Sequence, residues 1–400
     1  MSRRIRKVAV LGSGVMGSGI ACHFANVGLQ VLLLDIVPRD LSEADKNNPA
    51  ARNRIVNTAL ANAVKNKPAA LYDKAFASRI TTGNFDDDFQ KISDCDWVIE
   101  VVVERLDIKQ LVFAKVDQYR KPGSLVTSNT SGISIHQMTE GRSEDFVAHF
   151  CGTHFFNPPR YLRLFEVIPT DSTKQEVVDF LMHYGDVYLG KQTVLAKDTP
   201  AFIGNRVGVY AMAKLYQLTT DLGLPISTVD KLTGPFIGRP KTGVYRLGDL
   251  VGHDTSLNVI NGIKHNCPHD EQAATFEIPT YLKFLVDNGF LGNKTGGQGF
   301  YKKTKAADGS TAILELNLET LEYQAAEKLD IPCLKLGKQI EDLNKRIAAI
   351  VAADDLGATL IKRSLGGLFA YASNRIPEIA DHLYSIDDAM KAGYAWDIVL

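Results

Sequence analysis

Short apolar runs alternate with longer amphipathic stretches through the first half of the chain, the rhythm of strands and helices in an α/β fold. Lys7–Leu11 reads as a buried strand, Gly12–Gly17 as a glycine turn, and the mostly apolar run to Val27 as a helix. Val31–Leu34 is a second strand, closed by Asp35. After a polar, helix-like insertion from Arg39 to about Lys74, the pattern predicts a strand at Trp97–Val103 and a helix from Asp107 through Val116. Further strands are predicted at Ser124–Thr127, Phe146–Phe150 and Leu164–Ile168. Alternation of this kind predicts a doubly wound, mostly parallel sheet with helices on both faces.

The character changes near residue 200. Thr199 is a candidate N-cap with Pro200 at the first helical position, and Phe202–Leu218 is helical. Little beyond it alternates like a strand, so an all-α C-terminal domain is expected. It contains a repeat: Arg206 and an apolar helix reach Val229-Asp230 after 24 residues, and Arg363 and an apolar helix reach Ile386-Asp387 after the same interval. The second copy runs only 13 residues past its aspartate and reads as incomplete. The expected domains are 1–199, with its insertion at 39–74; 200–303, helical; 304–353, a linker and charged helix; and 354–400, the truncated second repeat.

Composition narrows the function classes. With 45% hydrophobic and 23% charged residues and a formal net charge of −1, the chain is ordinary globular material, with no basic excess for nucleic acid or a membrane surface. No signal peptide or spanning run is visible, and the five cysteines show no framework spacing, so reduced thiols in a cytoplasmic protein are expected. His265-Asn266-Cys267-Pro268-His269 holds three candidate metal ligands but no second cluster, and reads as a polar loop. No metal is expected.

The glycine turn sits between a strand and a helix, with an acid closing the next strand 18 residues beyond Gly17. That is the dinucleotide-binding, Rossmann-type context. Gly12 permits the tight turn, Gly14 lets backbone approach a pyrophosphate, and Gly17 allows close packing of helix on strand. Asp35 favours NAD, since a carboxylate accepts from a ribose 2′-hydroxyl and repels a 2′-phosphate. Glu104 and Lys109 fall just past a strand end, on the side of such sheets that holds ligands.

Oxidising an alcohol carbon needs a base for the hydroxyl proton and groups that hold the oxygen. His154 is the natural base. Glu166 is either its partner or a solvent-facing strand carboxylate. Ser131 is an oxygen ligand or a helix cap, and Asn205 an oxygen ligand or an exposed helical residue. The insertion, with Arg52, Arg54, Lys65 and Lys67, is either a solvated helical hairpin or a surface for an anionic group such as the coenzyme A phosphates.

His154-Phe-Phe-Asn157-Pro, Glu166 twelve residues on, Ser128-Asn-Thr-Ser131, Lys197-Asp-Thr-Pro200-x-Phe-Ile-x-Asn205-Arg206 and Lys294-Thr-Gly-x-x-Gly-Phe-Tyr301 together resemble the L-3-hydroxyacyl-CoA dehydrogenase family over essentially the whole chain. The resemblance implies His154 as catalytic base, Glu166 as its partner, and Ser131 and Asn205 on the substrate oxygen. Around the NAD cofactor it implies Gly12, Gly14, Met16, Gly17, Asp35, Glu104, Lys109, Ser131 and Asn157, and it makes the insertion part of a coenzyme A site. Where stand-alone members carry Gly-Pro-Phe-Glu, this chain has Gly234-Pro-Phe-Ile237-Gly-Arg-Pro-Lys-Thr242. That variant and the half-finished repeat resemble the front portion of long bacterial proteins in which the dehydrogenase precedes an enoyl-CoA hydratase. No hydratase segment is read in these residues.

The expected activity is oxidation of (S)-3-hydroxyacyl-CoA in fatty acid β-oxidation, with an acyl-CoA substrate, NAD as hydride acceptor and a homodimer as the expected assembly. Two alternatives stand beside it: a short-chain 3-hydroxybutyryl-CoA dehydrogenase, and a dinucleotide-binding protein without turnover.

Overall fold

The computed structural model describes residues 3–305 and 309–398. The chain divides into two compact units, Met1–Phe202 with Glu378–Ala380, and Ile203–Pro377 with Asp381–Leu400. In the first unit lie strands β1 (Lys7–Leu11), β2 (Gln30–Asp35), β3 (Ile80–Asn84), β4 (Trp97–Glu100), β5 (Leu125–Ser128), β6 (Phe150–Phe155), β7 (Leu164–Pro169) and β8 (Gln192–Leu195). They form one sheet in the order β3-β2-β1-β4-β5-β6-β7-β8. Neighbours are parallel except β6 and β7, which run antiparallel. The helices are α1 (Val15–Asn26), α2 (Pro49–Arg52), α3 (Arg54–Lys65), α4 (Leu106–Tyr119), α5 (Glu144–Ala148) and α6 (Gln175–Val187).

The central strands are apolar on both faces because both faces are covered. On one side Phe24 of α1 meets Trp97 of β4 edge-on at 5.1 Å and Phe155 of β6 at 6.1 Å between ring centres. The turn between β1 and α1 depends on its glycines. Gly12 has φ +105°, and a Cβ there would stand 2.5 Å from the carbonyl oxygen of Val101. A Cβ on Gly17 would stand 1.9 Å from the carbonyl oxygen of Gly12.

Several boundaries differ from the pattern. The strand expected at Phe146–Phe150 is a short helix followed by a strand. Ser143 accepts from the Phe146 N–H at 3.2 Å, and Glu144 and Asp145 favour the first turn, so the cap wins over the apolar run. His154 therefore lies inside β6, not in a turn after it. The strand at Trp97 stops at Glu100, whose carboxylate accepts from the Val102 N–H at 2.6 Å and turns the chain. Strands β3 and β8 close the two ends of the sheet and carry Thr, Gln and Asn, so no continuous apolar run announces them. The insertion holds one twelve-residue helix, α3, preceded by the single turn of α2, in place of a hairpin.

The second unit is helical: α7 (Gly204–Asp221), α8 (Ile226–Leu232), α9 (Tyr245–Val251), α10 (His253–Asn266), α11 (Thr280–Asp287), α12 (Pro332–Gly337), α13 (Leu343–Val351), α14 (Leu356–Asn374) and α15 (Leu383–Tyr394). The helix expected from Thr199 starts at Gly204, because Ala201 and Phe202 are left-handed, with φ 66° and 51°. The stretch expected to be a linker carries a small antiparallel sheet of β9 (Tyr301–Lys305), β10 (Thr311–Leu316) and β11 (Tyr323–Ala325). Asp230 and Asp387, the landmarks of the repeat, are each the fifth residue of the second helix of a pair, α8 after α7 and α15 after α14.

The two long helices of the repeat meet through stacked rings, Tyr210 on Tyr371 at 3.8 Å and 5°. Beside them Arg206 donates to the Tyr371 hydroxyl and to Asp270, both at 2.6 Å, and Tyr371 donates to Asp270 at 2.8 Å. Arg375 reaches the same carboxylate at 3.3 Å and bonds Glu271. Arg206 and Asp270 have essentially no exposed side-chain surface.

Candidate active site

The glycine turn presents a cradle at the carboxyl end of β1. A Cβ on Gly14 would meet nothing within 4 Å, so the backbone there stands open to an incoming group. Asp35, the last residue of β2, accepts from the Ser13 N–H at 2.6 Å and the Ser13 hydroxyl at 2.5 Å. Its other oxygen accepts from the Ile36 N–H at 2.7 Å. Met16 is half-buried and packs against the core.

Two strands along, charge is concentrated in a place the sequence shows only in part. Lys109 of α4 is 1% exposed and donates to both oxygens of Glu100, at 2.8 and 3.0 Å, and lies 3.2 Å from Glu104. Burial pushes the Glu100 carboxyl above its ordinary value, against the pull of Lys109 and the Ser128 hydroxyl. At Glu104 burial works the same way but loses: Lys109, the Thr130 hydroxyl and the Ser131 N–H bring it below its ordinary value. Glu104 and Lys109 were expected here; Glu100 was not. Its signal was an acid at the end of an apolar strand, the position Asp35 holds on β2.

Glu104 links this cluster to Ser131 and, through it, to His154. One of its oxygens accepts from the Thr130 hydroxyl at 2.5 Å and the Ser131 N–H at 2.9 Å. The Ser131 hydroxyl lies 3.2 Å from Nε2 of His154, and Nδ1 of His154 lies 2.6 Å from Glu166. The last contact follows from register, since His154 of β6 stands directly opposite Glu166 of β7. Asn129 steadies the strand by accepting from the Phe155 N–H at 2.8 Å. His154 is buried between the rings of Phe156 and Phe202, at 4.5 and 5.6 Å, while Ser131 is exposed.

A carboxylate only accepts, so the Nδ1 contact puts the imidazole proton on Nδ1 and leaves the Nε2 lone pair facing Ser131. Glu166 is thus a partner of His154 and not a solvent-facing carboxylate. Ser131, His154, Glu166, Glu104 and Lys109 form one connected chain of polar contacts. Asn157 is exposed, just past β6. Asn205 belongs to the second unit, near the start of α7, where its carbonyl oxygen is 3.5 Å from the Tyr394 hydroxyl.

The basic insertion is partly neutralised. Arg52 is bidentate on Asp87 at 2.7 and 2.8 Å, and Arg54 pairs with Asp40 at 2.5 Å. Lys65 and Lys67 make no ion pair among the described residues. His265 and His269 are exposed and Cys267 is buried; among the described residues no group of three His, Cys, Asp or Glu side chains could hold a metal ion. Nor is any helix among them long and apolar enough to cross a membrane.

Residues 7–199 match the NAD binding domain of 3-hydroxyacyl-CoA dehydrogenase, and residues 202–303 match the C-terminal domain of the same family. The chain belongs to the 3-hydroxyacyl-CoA dehydrogenase family. A Bacillus subtilis protein named as a 3-hydroxyacyl-CoA dehydrogenase is 44% identical over 404 residues, covering 100% of this chain and 50% of its own length. A Rickettsia felis protein named as a fatty acid oxidation complex trifunctional enzyme is 32% identical over 397 residues, covering 99% of this chain and 52% of its own. The chain thus spans about half the length of these curated relatives. Among solved structures, (S)-3-hydroxybutyryl-CoA dehydrogenase from Ralstonia eutropha superimposes with a TM-score of 0.59 at 27% identity, over 74% of this chain and 98% of that one. The family assignment carries NAD as cofactor, and the open cradle at Gly14 beside the Asp35 carboxylate suits it.

Proposed function

We propose that this chain oxidises (S)-3-hydroxyacyl-CoA to 3-oxoacyl-CoA with His154 as general base, in fatty acid oxidation. The observation that carries the reading is the Ser131–His154–Glu166 arrangement, a buried imidazole with its proton fixed by a carboxylate and its lone pair turned to an exposed hydroxyl. In the oxidative direction Nε2 takes the proton of the C3 hydroxyl while Ser131 hydrogen-bonds the same oxygen. Glu166 holds the ring and stabilises the imidazolium that results. Bound NAD⁺ supplies the acceptor for the C3 hydride. The glycine turn would hold its pyrophosphate, Asp35 a ribose, and the cluster around Glu104 and Lys109, with Asn157, the nicotinamide end. Met16 makes its contribution through packing.

The role in fatty acid oxidation is supported by the name of the Rickettsia relative and by both family domains. Lys65 and Lys67, the insertion cations without a carboxylate partner among the described residues, are the groups assigned to coenzyme A phosphates. Asn205 is assigned to the substrate oxygen from its sequence motif. The test is NADH oxidation by the purified chain with acetoacetyl-CoA, followed at 340 nm. Turnover in the wild type that His154→Ala abolishes supports the reading; full turnover by His154→Ala overturns the base assignment.

A further inference from the structure

The loop that joins the His154 strand to the Glu166 strand, residues 156–163, is held by an unusual anchor. Lys191, just before β8, is 4% exposed. Its ammonium donates to the carbonyl oxygen of Pro159 and, at 2.8 Å, to that of Leu162. The face of Phe155 lies 5.6 Å away. No carboxylate lies within ion-pair distance of Lys191 among the described residues. The charged neighbour is the Arg163 guanidinium, of the same sign, and His23 of α1 also feels the Lys191 charge. His23 is kept neutral by burial, which with Lys191 brings its value down to about 3, and its Nε2 lies 3.0 Å from the Leu189 carbonyl.

A buried ammonium facing only carbonyls and a ring is an expensive way to hold a loop. An apolar side chain would fill the space with less desolvation. What the ammonium adds is direction: two carbonyls from one loop are drawn to a single point, immediately beside the hairpin that sets the His154–Glu166 register. The grip is reinforced on the far side, where a Cβ on Gly19 of α1 would stand 3.1 Å from the Pro159 ring, so the ring lies close against the helix backbone. The next residue, Gln192, donates its N–H to the Arg163 carbonyl at 2.8 Å, closing the loop's other end.

We propose that Lys191 is a positioning residue for the reaction: its ammonium fixes loop 156–163 and thereby the alignment of His154 with Glu166 and the placement of Asn157. This rests on the reading of His154 as the base. Burial, with Arg163 adding to it, pushes Lys191 down to about 8, so the anchor loses its charge within reach of ordinary assays.

The experiment uses the full chain and its Lys191→Met and Lys191→Gln variants. Amide-exchange protection factors for residues 156–163, corrected for intrinsic rate, are measured from pH 7 to 9.5. Expected in the wild type is protection that falls above pH about 8. Expected in Lys191→Met is protection about tenfold lower and flat across the range, with Lys191→Gln, which keeps a donor, in between. In parallel, kcat with acetoacetyl-CoA falls about tenfold to a hundredfold in Lys191→Met, more than the KM for NADH rises through the displaced Asn157. Unaltered loop protection in Lys191→Met overturns the anchor. A loosened loop with unchanged kcat overturns the positioning role. A wild type without turnover overturns the dehydrogenase reading instead, and the exchange data still decide the anchor. If Lys191→Met does not fold, Lys191→Gln carries both measurements.

Discussion

Two buried charge ensembles, one in each unit, are built from similar parts and differ in one respect. Around Asp270, the Arg206 guanidinium, the Tyr371 hydroxyl and Arg375 close on the carboxylate from several directions, with stacked tyrosines beside them. Around His154, Glu166 closes one side of the ring, while the other side ends on a hydroxyl that water can reach. The first ensemble encloses its carboxylate and ties two helices of a repeat together. The second has one side open, where the proposed reaction would place the substrate oxygen. Burial and charge are common to both; what differs is the exposed hydroxyl at one end.

The comparison breaks most visibly at its open end. His154→Ala should lower kcat by ~10²–10⁴, and it should also cost some stability because the Glu166 carboxylate beside it is buried. Asp270→Ala should spare kcat and lower unfolding free energy in urea by about 3–5 kcal/mol, because the buried Arg206 loses the carboxylate it donates to. Its pH dependence has a definite sign. Burial raises the Asp270 carboxyl, but the Gln272 N–H, the Tyr371 hydroxyl and Arg206 overcome it and hold it below the ordinary 3.8. A depressed value means stability that is present above about pH 4 and lost as pH falls through the folded value. Acid unfolding of the wild type should therefore be steeper below pH 4 than that of Asp270→Ala, as monitored by circular dichroism.

Smaller effects sharpen the open site. Glu166→Gln keeps the shape but not the charge that favours the imidazolium; roughly a 10–100-fold loss of kcat is expected, within the range a positioned base supplies. Asp35→Asn removes charge and leaves a hydrogen-bonding group, so the KM for NADH should rise only about 2–10-fold, the worth of one net hydrogen bond. The NADPH-to-NADH ratio of kcat/KM should rise with it; an unchanged ratio would refute the role of Asp35 in cofactor choice.

Much of this was legible before any coordinates, and the exceptions share a cause. The glycine turn, Asp35 and the central strands are local: their residues follow one another and their apolar runs are bounded by turn chemistry. The edge strands β3 and β8 are polar because an edge is only half buried, so periodicity had little to report. The strand expected at Phe146 was lost to a serine cap three residues upstream, a short-range signal that outweighed two phenylalanines. The site residues were named from their motifs, yet their connection through Glu104 and Ser131 needed the fold. Glu100 went unread because an acid inside an apolar run looks like strand until the chain is seen to turn there. In the second unit, the matching positions of Asp230 and Asp387 follow the repeat read from spacing, whereas the small sheet after residue 300 has too few apolar residues to show itself.

The last two strands of the sheet, β7 and β8, run against the other six, and that reversal turns a chemical requirement into a matter of counting. Because β6 and β7 are antiparallel, His154 meets Glu166 across the ladder, and side chains alternate faces with every step. A slip of one position would set His154 against Phe165 or Val167 and send the carboxylate to the opposite face of the sheet. Chain length between the two strands is therefore a gauge with odd and even settings, and only one parity sets the imidazole against the carboxylate. Insertions elsewhere on the surface change size; here a single residue's shift in register decides whether His154 has Glu166 across from it.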